Sequence, residues 1–135
     1  ANCVFVSPCL DGFVLVIGLP RFPEQGLAGA FGQVQAFATH RVTEYHAWAR
    51  WNGGTLERMY VYDGSRGVVT VQVGEMTAQE IALGFGRFPQ KGREDRCEAN
   101  PTEEDVLDLA AAWGVDPRMD AVAYPPSVGW ICTVR

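Results

Sequence analysis

The chain has 135 residues, of which 47% are hydrophobic and 20% are charged, and its formal net charge is −5 at pH 7. A chain of this length builds one hydrophobic core, so we expect a single domain over residues 1–135. The negative charge argues against a nucleic-acid partner, because nucleic-acid affinity comes mainly from clustered Lys and Arg.

Membrane, metal and cofactor sites are not predicted either. No apolar run approaches the roughly 20 residues that cross a bilayer, so no membrane partner is expected. The cysteine usage described next makes the cytoplasm the expected location. The cysteines show no C-x-x-C pair and no matching His spacing, which predicts reduced thiols and no metal, although a bridge from Cys3 to Cys9 or Cys132 stays open. The glycine-rich pieces lack a phosphate-loop pattern, and no cofactor is predicted.

Two apolar strands are predicted at the start of the sequence. Residues 4–7 and 13–17 flank the turn signal Asp11-Gly12, and the second segment does not alternate, which is typical of an inner strand buried on both faces. Because the strand pattern begins almost at once and no initiator Met precedes it, we expect the natural chain to start earlier. Residues 23–31 are predicted as a short helix that ends at Gly32.

Residues 33–51 are predicted as one long strand, because they are rich in β-branched and aromatic residues and contain neither Pro nor Gly. The stretch is much longer than the usual strand of about 5 to 6 residues. Its apolar parity slips between Phe37 and Val42, so we expect a β-bulge near residues 39–41.

The tripeptide Asn52-Gly53-Gly54 predicts a β-hairpin with residues 43–51 and 55–62 as its arms. A two-residue loop at Gly53-Gly54 pairs Asn52 with Thr55. Counting outward then gives the cross-strand pairs Arg50/Glu57, Trp48/Met59 and His46/Val61 on one face, and Trp51/Leu56, Ala49/Arg58, Ala47/Tyr60 and Tyr45/Tyr62 on the other. This register forms an opposite-charge pair and an aromatic pair, both of which stabilise a sheet.

The rest of the chain completes an α+β pattern. Residues 68–73 form the third strand of a meander, a capping box at residues 77–80 opens a short helix, residues 84–100 form a polar loop, and residues 128–134 form a last strand. A helix is predicted at residues 103–113 with Thr102 as its N-cap and a buried side formed by Val106, Leu109, Ala110 and Trp113. We therefore predict a twisted antiparallel sheet of about 5 to 6 strands around a central meander at residues 34–73, with two or three short helices packed mainly on one face.

Residues 39–46 hold both histidines of the chain with a carboxylate, a phenol and a guanidinium. On an unbroken strand His40 and His46 lie about 20 Å apart, too far to share a metal ion. Glu44 and His46 share a face about 7 Å apart and could act as a catalytic acid–base pair. The alternative is a histidine at the edge of the core that is hydrogen-bonded to Glu44.

Arginines and aromatic residues around the hairpin are the predicted ligand- or partner-binding residues. Arg41 and Arg58 have no partner in the predicted register and could hold an anionic ligand. An aromatic stripe is expected on the face opposite Trp48, formed by Tyr45, Trp51, Tyr60 and Tyr62. It is either core beneath a helix layer or an exposed interface. Because the helices are few and short, we expect self-association, as in a homodimer, through one sheet face or edge.

Two segments, residues 31–50 (FGQVQAFATHRVTEYHAWAR) and 103–113 (EEDVLDLAAAW), resemble motifs of small uncharacterised bacterial proteins, some of which are similar to products of mobile elements such as integron gene cassettes. This resemblance implies no established activity and no catalytic residues. We predict a self-associating protein that binds a small ligand or a partner protein, for example as an immunity-like protein that blocks a toxin. The alternative is a small enzyme that uses Glu44 and His46 on an anionic substrate held by Arg41 or Arg58.

Overall fold

The computed structural model describes residues 2–18, 28–120 and 123–134, and these form an α+β fold with two antiparallel sheets instead of the single sheet expected. The elements in chain order are β1 (Asn2–Leu10), β2 (Phe13–Ile17), β3 (Gln33–His40), β4 (Tyr45–Asn52), β5 (Thr55–Asp63), β6 (Val68–Val73), α1 (Ala78–Ala82), α2 (Glu103–Trp113) and β7 (Trp130–Val134). One sheet has the order β2-β1-β7, and the other is the meander β3-β4-β5-β6. The helix predicted at residues 23–31 lies largely outside the described residues.

The predicted long strand at residues 33–51 is wrong, because residues 41–44 form a turn between two strands. β3 and β4 pair in antiparallel fashion, with Phe37 opposite Trp48. The parity slip near residues 39–41 therefore marks a hairpin and not a bulge. No Gly or Pro marks this turn, and Glu44 itself adopts the left-handed φ of 50° that closes it.

The predicted hairpin register is confirmed for its first two pairs, Asn52–Thr55 and Trp51–Leu56, and is wrong beyond them. A β-bulge at Glu57 shifts the pairing by one residue, so that Trp48 lies opposite Tyr60, His46 opposite Tyr62 and Arg50 opposite Arg58. This shift turns Arg58 towards the helices, where it meets the buried carboxylate of Glu80. The bulge thus allows the ion pair between Arg58 and Glu80. Rules for pairing within a hairpin do not predict the bulge, because Glu80 lies outside the hairpin.

One face of the meander packs against the helices and forms the main core. Trp48 stacks on Tyr60 with 4.4 Å between ring centroids, and Phe85 packs against Trp48 at 5.3 Å. The predicted helix at residues 103–113 is confirmed with Thr102 as its N-cap, and Asp105 completes a capping box that was not predicted. Its predicted buried side is also confirmed, since it consists of Val106, Leu109, Ala110 and Trp113.

The other face of the meander is buried as well. Ala28, Ala36, Ala49 and Trp51 form a second apolar cluster there. Ala49 has no exposed surface and Trp51 is 5% exposed. Much of this second face is therefore covered as well, although Val73 at its β6 edge is exposed.

The β2-β1-β7 sheet is arranged differently from the prediction. β2 was expected to be an inner strand buried on both faces, but it lies at an edge of the sheet and β1 is the central strand. Val14, Val16 and Ile17 of β2 are exposed. An apolar run without alternation indicates two apolar faces, and here neither face of β2 is fully covered.

Candidate functional site

The turn at residues 41–44 places the predicted polar residues on two adjacent strands. β3 and β4 pair Thr39 with His46 and His40 with Tyr45, so the two histidines lie on adjacent strands instead of about 20 Å apart on one strand. The distance used to exclude a shared metal was therefore wrong, but the register places His40 and His46 on opposite faces of the sheet, so their rings do not converge. Across residues 2–18, 28–120 and 123–134, no group of three or more His, Cys, Asp or Glu side chains could hold a metal ion.

His46 is fixed between two polar partners. Its Nδ1 lies 2.9 Å from Thr39 Oγ1, and its Nε2 lies 3.2 Å from Glu44 Oε2. The His46 side chain is 1% exposed, whereas that of Glu44 is 64% exposed. Because both ring nitrogens are engaged and the ring is enclosed, the geometry favours a positioning role for His46 over contact with a substrate. The acid–base role of this pair stays a prediction.

Arg41 joins the turn to the start of α2 through a forked ion pair with Glu103. Its Nε contacts Oε2 and its Nη2 donates to Oε1 at 2.9 Å. The hydrogen bond from Arg41 holds the pKa of Glu103 below its usual range. The Arg41 side chain is 82% exposed, so this pair adds little stability and leaves the guanidinium open to solvent.

Arg58 lies inside the protein. Its Nε and Nη2 donate to the Glu80 carboxylate at 3.0 and 2.8 Å, and its Nη1 donates to the carbonyl of Gly74 at 2.9 Å. Glu80 also accepts from the indole N–H of Trp48 and the backbone N–H of Thr77, each at 2.8 Å. An enclosed ion pair needs such partners to offset its desolvation. The ligand role predicted for Arg58 gains no support from this arrangement.

The four residues of the predicted aromatic stripe do not share a face, because the bulge at Glu57 separates them. Tyr60 and Tyr62 lie beneath the helices and are 1% and 3% exposed, whereas Tyr45 and Trp51 lie on the opposite face. The Tyr60 hydroxyl donates to the carbonyl of Pro89 at 2.8 Å. Burial raises the pKa of the Tyr60 phenol, and the neighbouring Tyr62 raises it further by a smaller amount. These tyrosines are core residues, so they do not form an exposed patch.

The segment predicted as a polar loop, residues 84–100, lies against the edge strand β6. The Glu94 carboxylate accepts the backbone N–H of Val69 at 3.3 Å, and Lys91 Nζ donates to the carbonyl of Thr70 at 3.1 Å. Backbone N–H donors hold the pKa of Glu94 below its usual range. These side chains occupy backbone groups that an edge strand otherwise offers to another strand.

An open cleft of about 570 Å³ lies between the end of β6 and this segment. Its lining consists of Gln72, Gly74, Glu75, Gln90, Lys91 and Arg93. The sequence indicated only that residues 84–100 form a long polar loop. The other wall, formed by residues 72–75, was not predicted to be part of a site. Those residues end or follow β6, whose apolar, β-branched pattern predicts only a strand.

The β2-β1-β7 sheet carries six of the twelve exposed large hydrophobic side chains found in the described residues. Cross-strand pairing aligns Ile17, Phe5 and Ile131 across the three strands on one face, and we call these residues the Ile131 row. Pairing on the other face aligns Val16, Val6 and Trp130, which we call the Trp130 row. Ile131 is 78% exposed and Trp130 is 60% exposed. The sequence predicted the strands but not that apolar side chains on both faces stay exposed, although Val4, on the face of the Trp130 row, is buried.

The cysteines are free thiols, and three of them lie on this sheet. Cys3, Cys9 and Cys132 are exposed, whereas Cys97 is half-buried. Cys3 shares a face with the Ile131 row, because it lies two residues before Phe5 on β1. Cys132 lies opposite Val4 and therefore shares a face with the Trp130 row.

The chain matches no protein-family model, no curated protein and no solved structure. Among the described residues, no helix is long and apolar enough to cross a membrane. The resemblance to small bacterial and mobile-element proteins stays a prediction.

Proposed function

We propose that this protein is an interaction module that self-associates through the β2-β1-β7 sheet, with the Ile131 row of one copy packed against the Ile131 row of a second copy. The concentration of exposed apolar side chains on this sheet carries the proposal. A sheet normally buries an apolar face against a second layer of structure. A contiguous apolar patch that stays exposed is typical of a protein interface.

The distribution of charge favours a second copy as the partner. The chain has a net charge of −5, which opposes contact between two copies over most of the surface. Residues 2–18 and 123–134, which contain the sheet, include only one charged residue, Asp11. Two copies can therefore meet at this sheet with little like-charge repulsion, and a two-fold contact lets one patch cover itself.

The neighbouring surfaces are less suited to this contact. Each face of the meander carries a buried apolar cluster, and the residues that follow α1 lie against the β6 edge. The Ile131 row consists of apolar side chains in a line across three strands, without the few polar groups that orient a small molecule. A toxin-blocking, immunity-like role of the assembled protein stays a prediction from its size and charge.

Ile131→Ser tests this proposal, with Ile81→Ser as its matched control. Both variants exchange an exposed isoleucine for serine, since Ile131 is 78% and Ile81 is 62% exposed, but Ile81 lies on α1. In light scattering at tens of micromolar, we expect the wild type and Ile81→Ser to have twice the mass of the 14.8 kDa chain and Ile131→Ser to have the mass of one chain. A monomeric wild type would overturn the proposal.

Thiol labelling reports which face of the sheet is covered. Cys3 shares the face of the Ile131 row and Cys132 shares the face of the Trp130 row. We expect a thiol reagent to modify Cys3 more slowly as the protein concentration rises, while the rate at Cys132 stays constant. Protection of Cys132 alone would assign the contact to the Trp130 row and refute the proposed face.

A further inference from the structure

The cleft beside β6 has walls that are tied together by the protein's own hydrogen bonds. Gln72 Nε2 donates to Gln90 Oε1 at 2.6 Å, and the backbone N–H of Lys91 donates to Gln72 Oε1 at 2.8 Å. The lining residue Gly74 is held by the buried Arg58, which donates to the Gly74 carbonyl at 2.9 Å. The cleft has a volume of about 570 Å³, is open to solvent and has a mainly polar lining, so a ligand there would be held by its charges and not by enclosure.

Opposite charges line this cleft without pairing across it. Glu75 follows β6 on one wall, whereas Lys91 and Arg93 lie on the other. Within the described part of the chain, neither Glu75 nor Arg93 has an oppositely charged group within 4.0 Å. The Lys91 ammonium group donates one hydrogen bond to the carbonyl of Thr70. An ammonium group has three N–H donors, so the others can bind a ligand. All three charged side chains are exposed and solvated in the cleft.

We propose that this cleft binds a small zwitterion, whose carboxylate meets Arg93 and Lys91 and whose ammonium group meets Glu75. The planar fork of an arginine binds a carboxylate through two parallel hydrogen bonds, and a lysine adds a point charge. A molecule with only one of the two charges would leave the opposite wall unpaired. This site is separate from the β2-β1-β7 sheet, so the inference does not depend on the proposed self-association.

The test titrates the wild type with ω-amino acids that have two to six carbons between their charges, and with butyrate and butylamine, at constant ionic strength. Binding is followed by the NMR shifts of the side-chain amides of Gln72 and Gln90. We expect one length of amino acid to bind about threefold to fivefold more tightly than butyrate or butylamine, which is the most that one additional exposed charge pair adds.

Three variants locate the binding. Arg93→Gln and Glu75→Gln should each reduce the affinity for the best amino acid to that of a singly charged probe. Arg96→Gln is the matched control, because Arg96 is exposed in the same segment but does not line the cleft, and it should bind like the wild type. Ile131→Ser should also bind like the wild type, which separates this result from the test of self-association.

Three outcomes would overturn the inference. One is the absence of a saturable shift with every amino acid of the series. Another is equal affinity for butyrate and the best amino acid, which would indicate a simple anion site. The third is a loss of affinity in Arg96→Gln as large as that in Arg93→Gln, which would indicate unspecific attraction to the basic side chains of the segment.

Discussion

Arg58 and Glu80 place opposite charges in the interior, and each depends on the other. Their side chains are 2% and 0% exposed, so neither can recover its hydration if the partner is lost. Removing one member of such a pair leaves an uncompensated charge in a medium of low polarity. The pair also holds the end of β6, because Arg58 donates to the carbonyl of Gly74.

Glu80→Gln is therefore expected to lower the free energy of unfolding by about 3 to 5 kcal/mol, since it leaves the buried guanidinium without a counter-charge. Urea denaturation at neutral pH measures this change. Glu57→Gln is the control, because it breaks the more exposed pair with Arg50, whose Nε–Oε2 distance is 3.2 Å, and should cost less than about 1 kcal/mol. If both variants lowered the free energy of unfolding by the same amount, burial would not be the reason for the large effect of Glu80→Gln.

Single residues also show where sequence interpretation succeeds and where it stops. The capping box of Thr77 and Glu80 was predicted, and it forms because both partners lie within four residues of each other. The pairing of Glu80 with Arg58 was not predicted, because the bulge at Glu57 decides which side of the sheet Arg58 faces. No residue type in the hairpin predicts that bulge, and the Gly53-Gly54 turn predicts only the two pairs next to it.

Among the elements, the end of β6 depends most on one small residue. Gly74 has a φ of 72°, and a methyl group there would overlap the carbonyl oxygen of Glu57 at the bulge. The bulge, the buried ion pair and the cleft all meet at this point. Gly67 has a similar φ of 65°, but a methyl group there would meet no atom within 4 Å.

Gly67→Ala should lower the free energy of unfolding by about 1 to 2 kcal/mol, which is the usual cost of a left-handed conformation for alanine. Gly74→Ala carries the same conformational cost and the steric overlap with Glu57, so we expect its loss to exceed that of Gly67→Ala by more than about 2 kcal/mol. Chemical denaturation of both variants gives the two values. A difference near zero would show that the backbone at the bulge relaxes easily.

The helix α2 was predicted with its correct bounds, whereas β3 and β4 were predicted as one strand. The signals for α2 are local: Thr102 caps it, acidic residues fill its first turn and Gly114 ends it. The turn between β3 and β4 lacks such signals, because it is closed by the positive φ of Glu44. The helix could therefore be predicted because residues at its own ends determine it. The turn could not, because its conformation depends on a positive φ at a residue that is not glycine.

For the molecule as a whole, the α+β class and the central meander could be predicted, but the division into two sheets could not. Each strand of the meander pairs with the next one along the chain, and short turns specify such pairing. β7 pairs with β1 from the far end of the sequence. The zwitterion cleft likewise combines residues 72–75 with residues 90–93, a proximity that depends on the folded β6 edge.

The net charge predicts how the proposed self-association responds to pH. The sequence pI is about 4.9, so lowering the pH from about 7.5 to about 5.5 removes part of the negative charge and weakens repulsion between copies. We expect the dimer to dissociate at a lower protein concentration at the lower pH, as measured by sedimentation velocity. Ile131→Ser should stay monomeric at both pH values. Its association at low pH would point instead to unspecific attraction near the pI.

The pairing of β1 with β7 also has a cost in chain entropy. Asn2 lies opposite Val134, so this contact closes almost the whole chain into one loop, whereas the meander closes only short turns. The entropy lost on loop closure grows with loop length, and contacts between distant residues slow folding. The surface that we propose for self-association therefore rests on the longest-range contacts of the fold, and a chain that has formed only its meander does not yet possess it.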